Sequence, residues 1–177
     1  MTARRGLLIV FTGNGKGKTT AAMGAALRAA GHGFQILMIQ FIKGSWRYGE
    51  LDAARMLGGK FEIRPMGRGF VDTDPSRIHP EDKRLAREAW DAAVEAIRSA
   101  KYDILILDEI ANAIDYGMIA LEPVLSELKA RPESMHVICT GRNAPPELVE
   151  AADLVTEMKE IKHPFASGIR AQRGIEY

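Results

Sequence analysis

The sequence predicts an α/β fold in which a mostly parallel sheet carries helices on both faces. Three observations lead there. Short apolar runs bounded by polar or turn residues recur along the chain, helical stretches separate them, and the runs are continuous rather than alternating, as strands buried on both faces are. A length of 177 residues suits one domain over 1–177, and no repeat, low-complexity tract or interdomain linker breaks it.

Taken in order, residues 7–11 form the first expected strand. A glycine-rich loop follows, then an Ala-rich helix over 18–30. The other clear strands are 35–41, 104–107 and 136–139, with 61–64 and 154–157 as weaker ones. The best-defined helix is 80–100. Pro80 suits its first turn, Glu81 and Asp82 suit its positive end, and Leu85, Ala89, Ala93 and Ile97 recur about once per turn. Helices at 121–131 and 146–151 complete the alternation. Residues 44–52 and 67–75 lack periodicity and read as long loops. Their aromatics, Trp46, Tyr48 and Phe70, either pack the loops down or take part in binding.

Composition narrows the function. Lys and Arg number 24 against 23 Asp and Glu, which gives none of the basic excess of a nucleic-acid-coating protein. The single cysteine, Cys139, sits in an apolar run, so it reads as a small core residue in a reducing compartment. Arg4-Arg5 followed by five apolar residues imitates a secretion signal but falls short of the ~7–15 apolar residues one needs. No apolar run approaches the ~18 residues of a membrane span. A cytoplasmic protein with no nucleic-acid or membrane partner is expected.

The chemistry concentrates in two places. After the first strand comes Thr12-Gly13-Asn14-Gly15-Lys16-Gly17-Lys18-Thr19-Thr20, in the strand–loop–helix setting of a P-loop. Glycines let successive backbone N–H groups converge on phosphate oxygens, and the helix adds its positive N-terminal field. Lys18 places a charge on the phosphates and the Thr19 hydroxyl completes a Mg²⁺ shell. Thr12 stands where the usual pattern has its first glycine, and Lys16 adds a second cation. The second place is Ile104-Leu105-Ile106-Leu107-Asp108-Glu109, an apolar strand that delivers two carboxylates at its mouth. Thr19 and Glu109 are expected to hold the metal, with Asp108 behind them. Arg142, at the end of a third strand, either touches phosphate or substrate or is a surface cation. The four histidines, at 32, 79, 136 and 163, show no metal-site spacing and read as structural or solvated.

A P-loop and an Asp-Glu strand imply a nucleotide but leave its fate open. Gly13-Asn14-Gly15-Lys16-Gly17-Lys18-Thr19-Thr20-Ala21-Ala22 resembles the signature of the P-loop corrinoid adenosyltransferases. The resemblance continues through Arg28-Ala29-Ala30-Gly31-His32-Gly33, Gln40-Phe41-Ile42-Lys43-Gly44, Gly49-Glu50 and Gly69-Phe70. It goes on through Leu107-Asp108-Glu109, Thr140-Gly141-Arg142 and Lys162-His163-Pro164-Phe165, and closes with Gly168-Ile169-Arg170-Ala171-Gln172-Arg173-Gly174-Ile175-Glu176-Tyr177. That last block is the most specific, since generic P-loop ATPases have nothing like it.

The resemblance implies a RecA-like fold, a homodimer, and transfer of the 5′-deoxyadenosyl group of ATP to the Co(I) of a corrinoid, with triphosphate as leaving group. It also implies an electron donor, such as a flavodoxin-type reductant, and ATP phosphates held in reverse of the ordinary sense. Catalytic roles would fall to Lys18 and Glu109. Residues 13–20, Arg142 and Phe70 would hold the nucleotide and the corrinoid, with Phe70 pressing toward the cobalt from below. Two departures stand out. Only about six residues precede the first strand, so an N-terminal lid is expected to be short or missing. Asp72 occupies the place where some relatives carry a second aromatic. The competing readings are a P-loop ATP hydrolase, in which Glu109 positions a water, and a nucleotide-dependent corrinoid-binding protein without turnover.

Overall fold

The computed structural model describes residues 5–44, 46, 48–72 and 74–176. Arg4 of the signal-like N-terminus, Thr73 of the second long loop and Tyr177 of the C-terminal block lie outside the described residues.

Six strands form one sheet: β1 (Leu8–Thr12), β2 (Ile36–Gln40), β3 (Phe61–Pro65), β4 (Ile104–Asp108), β5 (His136–Thr140) and β6 (Leu154–Glu157). Their spatial order is β3-β2-β4-β5-β1-β6, and every pairing is parallel. The expected parallel sheet is therefore present with all six strands. Its two weaker signals were its two edges. β6 is exposed along its whole length and β3 is buried only at Phe61, so neither needed the continuous apolar run of an interior strand.

Side chains alternate between the two faces of the sheet. Leu8, Leu37, Ile39, Leu105, Leu107 and Val137 pack on one side. They meet Ala89, Trp90, Ala93 and Ile97 of α3 (Pro80–Ser99) and Val124 and Leu128 of α5 (Leu121–Ala130). Ile36, Met38, Ile104, Ile106 and Ile138 pack on the other, against Ala22, Ala26 and Ala29 of α1 (Lys18–Gly31). The Ala stripe of α1 lets that helix lie close to the strands whose C-terminal ends carry the site. Leu148 of α6 (Pro146–Ala151) closes the first core.

The start of α3 is over-determined. Pro80 occupies its first turn, and Nδ1 of His79 accepts the Glu81 N–H. Asp82 does more than complement the helix dipole. It is buried and takes both Nε and Nη2 of Arg68, at 2.7 and 3.0 Å, which ties the loop after β3 to the helix.

Two helices depart from the sequence expectation. Residues 44–52 were expected to be a loop, but α2 (Gly49–Met56) begins inside that stretch. It starts on glycine and buries only Ala54, so it has almost no apolar stripe to read. A six-residue helix, α4 (Ile110–Asp115), follows β4 directly and is too short to show a period.

The histidines behave as structural residues. Nδ1 of His79, His136 and His163 each accepts a backbone N–H at 3.1 Å, from Glu81, Leu7 and Phe165. Cys139 is buried in the first core, and burial pushes its thiol up to about 12. Among the described residues no helix is long and apolar enough to cross a membrane.

Ile106 is fully buried between β4 and α1. Ile106→Ala should cost about 2–5 kcal/mol, read as a lower urea midpoint at unchanged slope. A loss below about 1 kcal/mol would mean the α1 face can collapse onto the gap.

Candidate active site

The C-terminal ends of β2, β4 and β5 carry a polar row on the face that packs against α1. Gln40 lies opposite Asp108 in the β2–β4 register, and Thr140 lies one residue beyond the Leu107–Cys139 pair of β4 and β5. All three are essentially inaccessible to solvent. Asp108 sits at the centre. Its Oδ1 accepts the hydroxyls of Thr140 and Thr19, each at 2.8 Å, and its Oδ2 accepts Nε2 of Gln40 at 3.2 Å. A buried carboxylate is tolerated only with such donors, and here they come from two neighbouring strands and α1.

Glu109, the next residue, is treated differently. Its backbone turns into the left-handed region, φ 65°, to leave β4 and open α4, and its N–H donates to Thr140 Oγ1 at 2.9 Å. The side chain is thereby aimed away from the row. Its Oε2 is buried and has no hydrogen-bond partner among the described residues. Burial and the adjacent Asp108 charge push its pKa up to about 7, while the Lys43, Lys18 and Arg142 cations oppose that rise. The two adjacent carboxylates thus have separate conditions: Asp108 is saturated with donors, and Glu109 keeps a free oxygen.

The loop 13–17 is braced from behind. Gly15 N–H donates to the Met158 carbonyl at 2.6 Å, and Met158 N–H donates to Thr12 O at 2.7 Å. A Cβ on Gly13 would fall 2.6 Å from the Met158 oxygen, and one on Gly15 2.8 Å from backbone atoms of Met158 and Lys159. Any side chain at either position would push the loop off the segment that follows β6. Lys18 Nζ donates to the carbonyls of Gly13 and Gly15, both at 2.7 Å. Burial lowers its pKa, and the Arg142 charge adds to that.

A cavity of about 970 Å³ opens over this loop. Of the residues expected in the site, Lys16, Gly17, Lys18, Thr19 and Thr20 line it together with Glu109, Arg142 and Phe70. Phe70 is 80 % exposed, so its ring is not packing its loop down. Gly13, Asn14 and Gly15 form the loop behind the lining. Asp108 lies beneath it and reaches it only through Thr19.

Further residues reach the cavity without having been singled out in the sequence. Lys43 pairs with Glu50 at 2.6 Å and lies 5.0 Å from the Tyr48 ring. Burial works against its charge, but the Glu50 bond and the Asp108 and Glu50 carboxylates outweigh it, and its pKa ends above the usual value. Asn112 uses Oδ1 to accept the Arg142 N–H at 3.0 Å, which fixes the turn that carries that arginine. Gly174, Ile175 and Glu176 return from the C-terminal segment to close one wall. Lys43, Glu50 and these last residues lay in the recognised blocks without a role. Asn112 carried no sequence signal at all.

Mg²⁺ fits the donor set. It takes oxygen ligands and is commonly held by one or two carboxylates together with substrate phosphates. A free buried Glu109 oxygen in the cavity that Thr19 also lines meets that need. Among the described residues there is no cluster of three or more His, Cys, Asp or Glu that would form a cage of its own.

A phosphate-cradling loop after β1, a buried Asp at the end of β4 and a strand inserted between them define a P-loop nucleotide-binding protein. Solved structures agree on the fold. The flagellar accessory protein FlaH from Methanocaldococcus jannaschii superposes with a TM-score of 0.61 at 13 % identity, over 87 % of this chain and 71 % of that one. The RadB recombinase gives 0.55 at 15 %, over 90 % and 77 %. These likenesses place the chain among RecA-like P-loop folds.

Sequence comparison narrows this further. Residues 4–177 match the family ATP:corrinoid adenosyltransferase BtuR/CobO/CobP, and the chain belongs to that family. A corrinoid adenosyltransferase of Escherichia coli K12 is 42 % identical over 98 % of this chain and 86 % of its own length. One from Pseudomonas aeruginosa is 40 % identical over 98 % and 84 %, and one from a Sinorhizobium species 43 % over 99 % and 82 %.

Thr140→Val keeps the side-chain shape but removes a donor to Asp108 and the acceptor of the Glu109 N–H. It should destabilise the fold by about 1–3 kcal/mol in urea unfolding. Thr140→Ser keeps the hydroxyl and should recover most of that loss. A loss in Thr140→Ser with none in Thr140→Val would mean that methyl packing, not the hydrogen bonds, sets the cost.

Proposed function

We propose that this chain transfers the 5′-deoxyadenosyl group of ATP to the Co(I) of a corrinoid and releases triphosphate. One observation carries the reading beyond family membership. A single cavity is lined both by residues 16–20 of the phosphate loop and by an exposed aromatic, Phe70, so it can take an anionic chain and a large flat-faced substrate together.

The bond that breaks joins C5′ to the innermost phosphate oxygen, and negative charge grows on the triphosphate. In this reading Lys18, Lys16 and the N–H groups where α1 begins stabilise that charge, with Arg142 also lining the cavity. Thr19 and Glu109 would hold Mg²⁺, and Asp108, whose donors already occupy both its oxygens, would fix Thr19 from behind. When bound, the ion supplies Lewis-acid stabilisation of the leaving phosphates. Cobalt is the nucleophile, so the protein needs none. The buried Cys139 has no part in the reaction.

Phe70 is assigned the lower face of the corrinoid, where an apolar wall in place of an axial ligand makes Co(I) easier to reach. With Asp72 two residues on, that wall is incomplete, and precursors lacking a lower base should be used relatively well. The same reading has the chain act as one domain over 1–177. It works in the cytoplasm as a homodimer, supplied with electrons by a flavodoxin-type donor.

Incubation with ATP, Mg²⁺ and chemically reduced corrinoid separates this reading from its rivals. Triphosphate and an alkylated corrinoid support it. ADP with orthophosphate means a hydrolase, and an unchanged corrinoid spectrum means a binding protein. In that assay Lys18→Ala should lower kcat by about a hundredfold or more, with a smaller loss of ATP affinity. A wild-type kcat would remove Lys18 from the chemistry.

Glu109→Gln should raise the Mg²⁺ concentration for half activity, because it replaces a charged ligand oxygen by an amide. An unshifted titration would assign the metal to another carboxylate.

A further inference from the structure

The two lysines of the phosphate loop have different partners. Lys18 is held by neutral carbonyls of its own loop, whereas Lys16 is held by a full carboxylate, Glu176 Oε1, at 2.9 Å. That carboxylate arrives from far along the chain. The backbone N–H groups of Ile175 and Glu176 both donate to the Gln172 carbonyl, forming a turn that presents residues 174–176 to the cavity wall beside Lys16. The side chain of Glu176 is only 16 % exposed, while that of Lys16 is 52 % exposed. The glutamate is therefore seated and the lysine reaches it from the open side.

We propose that Glu176 is the resting counter-ion of the phosphate cradle, holding Lys16 where an oxygen of the triphosphate chain would bind and yielding it when that chain enters. The proposal rests on the nucleotide reading above. A carboxylate is the side-chain group closest to a phosphate oxygen as a charged hydrogen-bond acceptor. It carries one negative charge against several on triphosphate, so the ligand prevails at Lys16 when present. Even so, the ligand must displace a seated anion and then sit near it, which weakens its hold. The Lys16 bond holds the Glu176 carboxyl below its usual range while the two are paired.

The effect falls on the leaving group. Triphosphate is gripped by the same cations that stabilise it in the transition state, so its release stands to limit turnover. An anion that can return to Lys16 loosens that grip without touching C5′ or the acceptor. Glu176 is thus a positioning residue that acts through Lys16.

Calorimetric titration with inorganic triphosphate and Mg²⁺ tests this in the wild-type chain, Glu176→Gln, Lys16→Met and the double variant. Glu176→Gln should bind triphosphate about 3–10-fold more tightly at low salt, with the gain shrinking at about 0.5 M salt, and should show stronger product inhibition. In the Lys16→Met background the same change should give no gain, a pattern that a merely structural role would not produce. Unchanged or weaker binding by Glu176→Gln, or an equal gain without Lys16, overturns the proposal. If the wild-type chain binds neither triphosphate nor ATP, the nucleotide site itself falls. Wild-type binding with no gain in Glu176→Gln removes Glu176 alone.

Discussion

A carboxylate with no access to solvent is costly unless donors meet both its oxygens, and Asp108 sits in that position at the rim of the sheet. Gln40 from β2, Thr140 from β5 and Thr19 from α1 meet it. Those bonds fix where α1 sits over the strand ends, and with it the direction from which the phosphate loop approaches. They also leave Asp108 little capacity to bind anything else. The neighbouring Glu109, turned out by its left-handed backbone, is the carboxylate that remains available. Two acids adjacent in sequence are separated by environment into a structural anion and a ligand-facing one.

The same logic runs through the rest of the site, where most groups act by position and charge. Lys18 is fixed by its own loop, Arg142 by Asn112 and Lys43 by Glu50. Among the described residues no paired nucleophile and base occurs, and an alkyl transfer to a metal-centred nucleophile calls for none. What such a reaction requires is stabilisation of a departing polyanion and room for a large acceptor. A cavity lined by both cations and an exposed aromatic meets both requirements.

Much of this could be read in the sequence because its signals are local. The interior strands announce themselves as apolar runs, the phosphate loop as glycines in a strand–loop–helix setting, and α3 by its period and its caps. Other features depend on register or on distance. Gln40 and Thr140 gain their importance only when β2 and β5 flank β4, an arrangement that chain order does not state. Asn112 matters because a six-residue helix without a readable period brings it under Arg142. The helix inside residues 44–52 stayed hidden because it buries a single alanine. Lys16 and Glu176 were each visible, yet nothing in either segment pairs them.

The packing of Gly13 and Gly15 against Met158 and Lys159 has a consequence for how the protein comes into being. A ribosome delivers the phosphate loop straight after β1 and its backing only after β6. Until then the loop lacks the carbonyl that holds Gly15 and the strand that extends past Thr12. A nascent chain has its glycines, lysines and sheet centre in hand, with the Lys18 bonds inside the loop but without the backing that braces it from behind. The shape of the loop therefore depends on backbone that is made only after every strand of the sheet.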